Sequence, residues 1–470
     1  MVALDGVLRV PCKTNMRLSV LLVFSALTFA QTPEPPKYTG PGSCASPSCH
    51  GSVTVKTDTS VQQNEYSTWV VKDKHARAFA VLSNDVAKRM ARIMDLKEPS
   101  TEARCLGCHS LNPPKDERAR TFDGSDGVSC ENCHGPAYNW LGKHTATARG
   151  GEGGWTHEDS VKAGMKDLRD LGNRTTQCLT CHVGNKDYAV DHELIAAGHP
   201  DLYFELDSFM AAMPKHWKEV SEKPNAPADP YFDVRALAVG QAVDLRDQLR
   251  RLARNAATGV WPEYADLDCF ACHHSLTTAE NSWQQERGYP AMPSATTSTG
   301  APPAGELGRR PGNPPWNLSR YVVLKEVLAD VDPAAGRELD GDIDRLYGMV
   351  TSLKSDRAQI ASLATSTADV VGQLVPKLTA AAYDQPKTLH MIKGILNNAD
   401  YITHQGERPA EQAAMTVQSL YTAYASKGRP ANDARIQETI SGLFKQVENP
   451  SAYNAFKFAD QMKALDKLLP

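Results

Sequence analysis

Ten cysteines, each second one followed by a histidine, carry the chemistry legible in this sequence. Four pairs read Cys-x-x-Cys-His: Cys105, Cys108 and His109; Cys130, Cys133 and His134; Cys178, Cys181 and His182; Cys269, Cys272 and His273. Two thiols at this spacing add across the two vinyl groups of an iron porphyrin, and the histidine that follows falls beneath the iron as proximal ligand. Chance is a poor rival: the residue frequencies give roughly 0.008 matches, against four present. A fifth pair, Cys44 and Cys49 followed by His50, holds four intervening residues, and Pro47 favours an outward turn that still brings both thiols to one porphyrin. A local disulfide is the alternative for that pair. Zinc would need a second ligand pair at a fixed distance, with no demand for His after every second Cys. A redox-active thiol pair would need a βαβ setting that the flanking sequence lacks. The expectation is five haem c groups, with His50, His109, His134, His182 and His273 as proximal ligands.

Nine histidines remain, and seven of them fall between residues 75 and 274. His75, His144, His192, His199 and His216 are candidates for distal ligands. His274, directly after a proximal His, could serve only a neighbouring iron. His192 and His199 are seven apart, so a helix would place them on one face, although Gly198 and Pro200 argue that the helix ends there. His157, His390 and His404 read as surface residues. Methionine shows no repeated relation to the motifs, so bis-His ligation is expected for most irons.

The segment around the first three motifs resembles the cytochrome c-554 family of multihaem cytochromes, which is related in haem packing to hydroxylamine oxidoreductase. The resemblance is carried by Trp69 with Lys74-His75-Ala76-Arg77-Ala78. It is also carried by Gly127-Val128-Ser129-Cys130-Glu131-Asn132-Cys133-His134-Gly135-Pro136, followed by Gly142-Lys143-His144. It implies distal roles for His75 and His144, and it covers roughly residues 40–275. The widened first motif, the fifth motif and a long C-terminal extension depart from the shorter family pattern. In the tetrahaem members the haem of the second motif has an open distal side; the extra histidines here leave open whether His109 faces such a site.

Those ligands must be positioned by very little protein. From Cys44 to His274 there are 231 residues for five haems, about 46 each, too few to enclose each haem in its own core. The expected fold is mainly α: a haem domain over 31–288 with little regular sheet, long loops and a haem-packed core, followed by an α-helical bundle. Between the fourth and fifth motifs a helix is expected from Asp233 to about Ala257, carrying Arg246, Arg250, Arg251 and Arg254 either toward propionates or on a solvated face. Residues 289–315 are rich in Pro, Gly, Ser and Thr and read as a linker. Residues 316–470 carry apolar stripes such as Leu339, Ile343, Leu346, Val350 and Leu353, and no motif of their own.

Met16-Arg17, the apolar run Leu18–Phe29 and the small residues around Phe29 read as a signal peptide over 1–30, with 1–15 an over-extended start. Export is expected, to the periplasm first, with an extracellular or membrane-associated site as alternatives. The formal net charge of −4 and the absence of a basic block exclude nucleic acid as an evident partner, and no other stretch reads as a membrane span. The expected partners are redox donor and acceptor proteins. Electron transfer is the leading function. One alternative is a haem oxidoreductase acting on a small nitrogen or sulfur compound at one five-coordinate iron, though no Cys-x-x-Cys-Lys motif is present. Another is an electron-transfer subunit of a respiratory complex, docked through residues 316–470.

Overall fold

The sequence reaches its structure almost wholly through helices. A computed structural model describes residues 36–57, 61–145, 154–222, 227–273, 287, 314–352 and 354–470. The expected signal segment, His274 and residues 289–313 of the expected linker lie outside the described residues. Helix accounts for 63% of the structure, and among the described residues sheet is limited to isolated bridges, Tyr38 with Arg118 and Leu267 with Trp316. The mainly-α expectation holds.

The motif-bearing half is built from short helices joined by long irregular segments. These are α1 (Glu65–Lys72), α2 (Asp85–Ile93), α3 (Ala103–His109), α4 (Cys130–His134), α5 (His157–Lys162), α6 (Leu171–His182), α7 (His192–Ala197) and α8 (Leu206–Ala212). Their starts are set by local chemistry. Asp170 accepts from the Asn173 amide at the head of α6, and Asp191 accepts from Leu194 at the head of α7, in each case satisfying a donor the first turn leaves free. Gly198 stops α7 with φ +116°, a conformation a side chain would resist.

One long helix organises the molecule. In α9 (Phe232–Ala257) every residue from Ala236 to Leu245 is buried, so neighbours cover it on all sides. The sequence allows this because Ala236, Ala238, Gly240 and Ala242 let other helices approach closely. Beyond residue 313 come α10 (Val322–Val331), α11 (Pro333–Val350), α12 (Arg357–Ala380), α13 (Gln385–Asn397), α14 (Ala399–His404), α15 (Glu407–Ala425), α16 (Asp433–Val447) and α17 (Ala455–Asp466). The most extensive helix–helix interface in the protein joins α9 to α12, and α15 also packs on α8 and α9. A single hydrophobic core therefore runs from Leu179 and Phe204 through Leu237 and Leu249 to Leu374, Leu420 and Phe458. No described helix is long and apolar enough to cross a membrane.

Candidate functional site

Three of the five motifs sit at helix ends. Motifs two, three and four close α3, α4 and α6, with the motif histidine as the last helical residue. Cysteines three apart on a helix share a face, so both thiols point the same way and the imidazole stands just beyond them. The first motif follows a 3₁₀ turn, Pro41–Cys44, and the fifth opens in another, Cys269–Ala271. All ten motif cysteines are free of disulfides, Cys44 and Cys49 included.

Four of the motif histidines meet a second histidine from a remote part of the chain. His50 faces His144 at 6.3 Å between ring centres, His182 faces His75 at 6.3 Å, His109 faces His199 at 6.3 Å, and His273 faces His192 at 6.1 Å. Direct contact does not explain a repeated gap of this size. Two imidazole nitrogens bound to one metal atom at about 2 Å, with about 1.1 Å from each nitrogen to its ring centre, put the centres about 6.2 Å apart.

Five of these eight rings are also fixed at their outer edges. The His50 Nδ1–H donates to Glu65 at 2.9 Å and that of His75 to Asp73 at 2.9 Å. Backbone carbonyls accept from the others: Ala78 from His109 at 2.9 Å, Leu141 from His144 at 2.6 Å and Pro200 from His199 at 2.8 Å. With Nδ1 engaged, Nε2 keeps its lone pair for a metal. Burial, with His75 and Arg320 nearby, pushes His182 down to about 4. Burial, with His216 and His50 nearby, does the same to His134. Both rings are thus held neutral, as ligation requires. Burial works to raise the Asp73 carboxyl, but its bonds from the His75 ring and amide carry it below the usual range.

The remaining candidates divide. His216 donates from Nδ1 to Pro214 O at 3.2 Å, in the manner of the other distal candidates, and lies close enough to His134 to depress it. The two rings are not paired as the other four couples are. His192 and His199 do not act on one face: α7 ends between them, and they meet His273 and His109 respectively. His157 lies beside Asp167, and His390 beside Asp330. Sequence reasoning did not single out Glu65, although it anchors the first proximal ring. Asp73, two residues before His75, could have been read as a local acceptor.

The motifs touch one another. The Cys44 and Cys130 thiols lie close together, as do those of Cys108 and Cys181, so motif one lies on motif three and motif two on motif four. Cys133 stands near Cys178, which joins the two pairs. Burial pushes Cys133 up to about 11 and Cys178 up to about 12, far from the thiolate of a redox-active or nucleophilic cysteine. Among the described residues no group of three or more His, Cys, Asp or Glu converges as a bare metal ion would need. Paired imidazoles beside paired thiols fit iron porphyrin instead.

The segment carrying the family resemblance is held by specific bonds. The Trp69 indole donates to Val128 O at 3.0 Å, and the Val128 amide donates to His75 O at 3.1 Å. Gly127 has φ +75°, and a Cβ there would lie 2.9 Å from His75 O, so the distal His75 strap docks against the third motif only through glycine. Within that motif Glu131 is 1% exposed. Its carboxylate accepts from the amides of Thr39 at 2.9 Å, Gly40 at 2.7 Å and Ala137 at 2.7 Å.

Helices with thiol pairs at their ends and imidazoles set an iron's width apart have the geometry that c-type haem attachment requires. Residues 43–135 match the family model described as cytochrome c554 and c-prime. The chain is 28% identical over 125 residues to cytochrome c-554 of Nitrosomonas europaea, covering 23% of this chain and 48% of that protein. It thus spans about half the length of the curated relative it matches. No solved structure matches the chain. Both matches are to the cytochrome c554 family, and each covers only part of this chain.

Proposed function

We propose that this protein is an exported electron carrier holding five haem c groups, one on each cysteine pair. Four irons are bis-His ligated, by His50 with His144, His75 with His182, His109 with His199, and His192 with His273. The observation that carries this reading is the repeated 6.1–6.3 Å separation of those ring pairs, each joining a motif histidine to one outside any motif. Electrons pass between the first and third motifs, on to the fourth and second, and to the fifth through the α7 segment. That segment carries a ligand for the fifth site and, just past its end, one for the second. Donor and acceptor are redox proteins of the periplasm, and residues 316–470 are the surface on which a larger respiratory partner would dock. Mass spectrometry of the exported chain tests the count: five added porphyrins are expected, and fewer, or cystines in their place, would overturn it.

A second reading concerns His134, because no imidazole pairs with it among the described residues although His216 lies near. Here one iron exchanges its sixth ligand and takes a small nitrogen or sulfur compound. Electron paramagnetic resonance of the oxidised protein decides between the readings. A high-spin signal from one fifth of the iron, altered by nitrite or hydroxylamine, supports the second; a wholly low-spin spectrum supports the first alone.

A further inference from the structure

Three arginines from separate parts of the chain meet at one partly open cavity beside His182. Arg251 comes from α9, Arg320 from the turn before α10, and Arg408 from the first turn of α15. Two of the three therefore belong to the C-terminal region, which carries no motif. Two carboxylates, Asp201 and Asp266, and Trp316 also line it. Arg320 is 4% exposed. Its Nη1 donates to Phe204 O at 2.5 Å and to Gln412 at 3.2 Å and lies 3.1 Å from Asp244, while its buried Nε has no partner. Arg251 donates to Val183 O at 3.2 Å and pairs with Asp266. Arg408 donates to Ala265 O at 2.8 Å, pairs with Asp201, and reaches the Cys269 sulfur at 3.5 Å.

Burying a guanidinium with an idle donor costs several kcal/mol unless an anion or acceptor arrives to meet it. The carboxylate beside Arg320 does not fully answer that charge, since burial pushes Asp244 up to about 7 and neither of its oxygens accepts a hydrogen bond. The cavity thus selects an anion with planar, paired oxygens, which guanidinium groups bind bidentately. Position names the source of that anion. One wall is the fourth-motif histidine, and Arg408 touches the first cysteine of the fifth motif. A porphyrin fastened at either place carries two propionates that cannot diffuse away, so their effective concentration exceeds that of any free oxyanion.

We propose that Arg251, Arg320 and Arg408 seat haem propionates in this cavity, so that the C-terminal helices complete the haem sites of the fourth and fifth motifs. This rests on the haem reading above. It gives the motif-free region a task inside the molecule. It also sets a redox consequence, because cations beside a haem edge stabilise the reduced state, and removing them lowers that haem's potential.

The test uses the full exported protein with Arg320→Gln and Arg408→Gln, singly and together, beside Arg320→Lys and Arg408→Lys. Spectroelectrochemical titration of the Gln variants is expected to show one or two haems shifted down by at least a tenfold change in oxidised-to-reduced ratio, or 59 mV for one electron. The other haems stay in place, and the Lys variants recover most of the shift. Should Arg320→Gln fail to fold, Arg408→Gln carries the test, its side chain being 15% exposed. Unmoved potentials in folded Gln variants overturn the proposal. So does saturable binding of phosphate or nitrite to the wild type that disappears in those variants while potentials hold, since the cavity is then a free-anion site. A wild-type porphyrin count below five would instead strike the haem reading, and the two failures are told apart by mass.

Discussion

Replacing Glu131 by Gln should cost this protein more stability than its position in a five-residue helix implies. The carboxylate is buried and takes three backbone amides, from Thr39, Gly40 and Ala137, at 2.7–2.9 Å. A neutral amide offers one oxygen where two stood, and its NH₂ would face at least one of those N–H donors. Losing the charge weakens the surviving bonds, because bonds to a charged acceptor contribute about 1.5–3 kcal/mol against about 1 for neutral ones. One stranded donor adds about 1–3 kcal/mol. The sum for Glu131→Gln is about 2–4 kcal/mol. Glu131→Ala, which strands all three donors, reaches about 3–9 kcal/mol. Guanidinium unfolding followed by far-ultraviolet circular dichroism measures the loss as a midpoint shift at constant slope. Because Thr39 and Gly40 lie just before the first motif, the Soret band of the first haem should loosen at the same denaturant concentration. A Gln variant within about 0.5 kcal/mol of wild type, outside which surface-like substitutions seldom fall, would refute the claim that this carboxylate ties the first motif to the third.

Further outcomes follow from the same geometry. His199→Ala should leave His109 without a ring partner and add one high-spin ferric haem to the resonance spectrum, with the porphyrin count unchanged. Burial, with Glu205 and Asp233 nearby, pushes Asp207 up to about 8, above its unfolded value of about 3.9. The stability tied to that proton is complete below about pH 4 and is lost as pH rises to about 8. Asp207→Asn should flatten this slope and gain about 2–4 kcal/mol at pH 8, read by denaturant melts across that range. Leu237→Ala, at 0% exposure on α9, should cost about 2–5 kcal/mol by opening the shared core.

The cysteine pairs and their following histidines were legible because thioether attachment is a local demand, met within five to seven residues. The α9 helix was legible to within a residue at its start, since its apolar pattern needs no partner to be recognised. The longer C-terminal helices were readable for the same reason. The run of helix between Gln385 and His404 breaks at Asn398, where α13 gives way to α14. Ligand pairing was not legible. His182 finds its partner at His75 and His273 at His192, across tens of residues, and nothing in local spacing encodes which distant ring arrives. His192 and His199 look like one helical face in sequence, yet the αL turn at Gly198 sends them to different partners. Arg320 and Arg408 were invisible for a related reason: neither stands beside a motif in sequence, and only tertiary packing brings them to His182.

The division between local and remote ligands sets an order of assembly. Each of the four paired sites has one half written in adjacent residues, and one half that exists only after distant segments have come together. A porphyrin fastened to the local half becomes a staple when the remote ring closes on its iron, shrinking the ensemble of open chains much as a crosslink does. On the proposed reading, loading comes first and closure by the remote ring follows. A chain deprived of iron would keep its long C-terminal helices while its motif-bearing half stayed open.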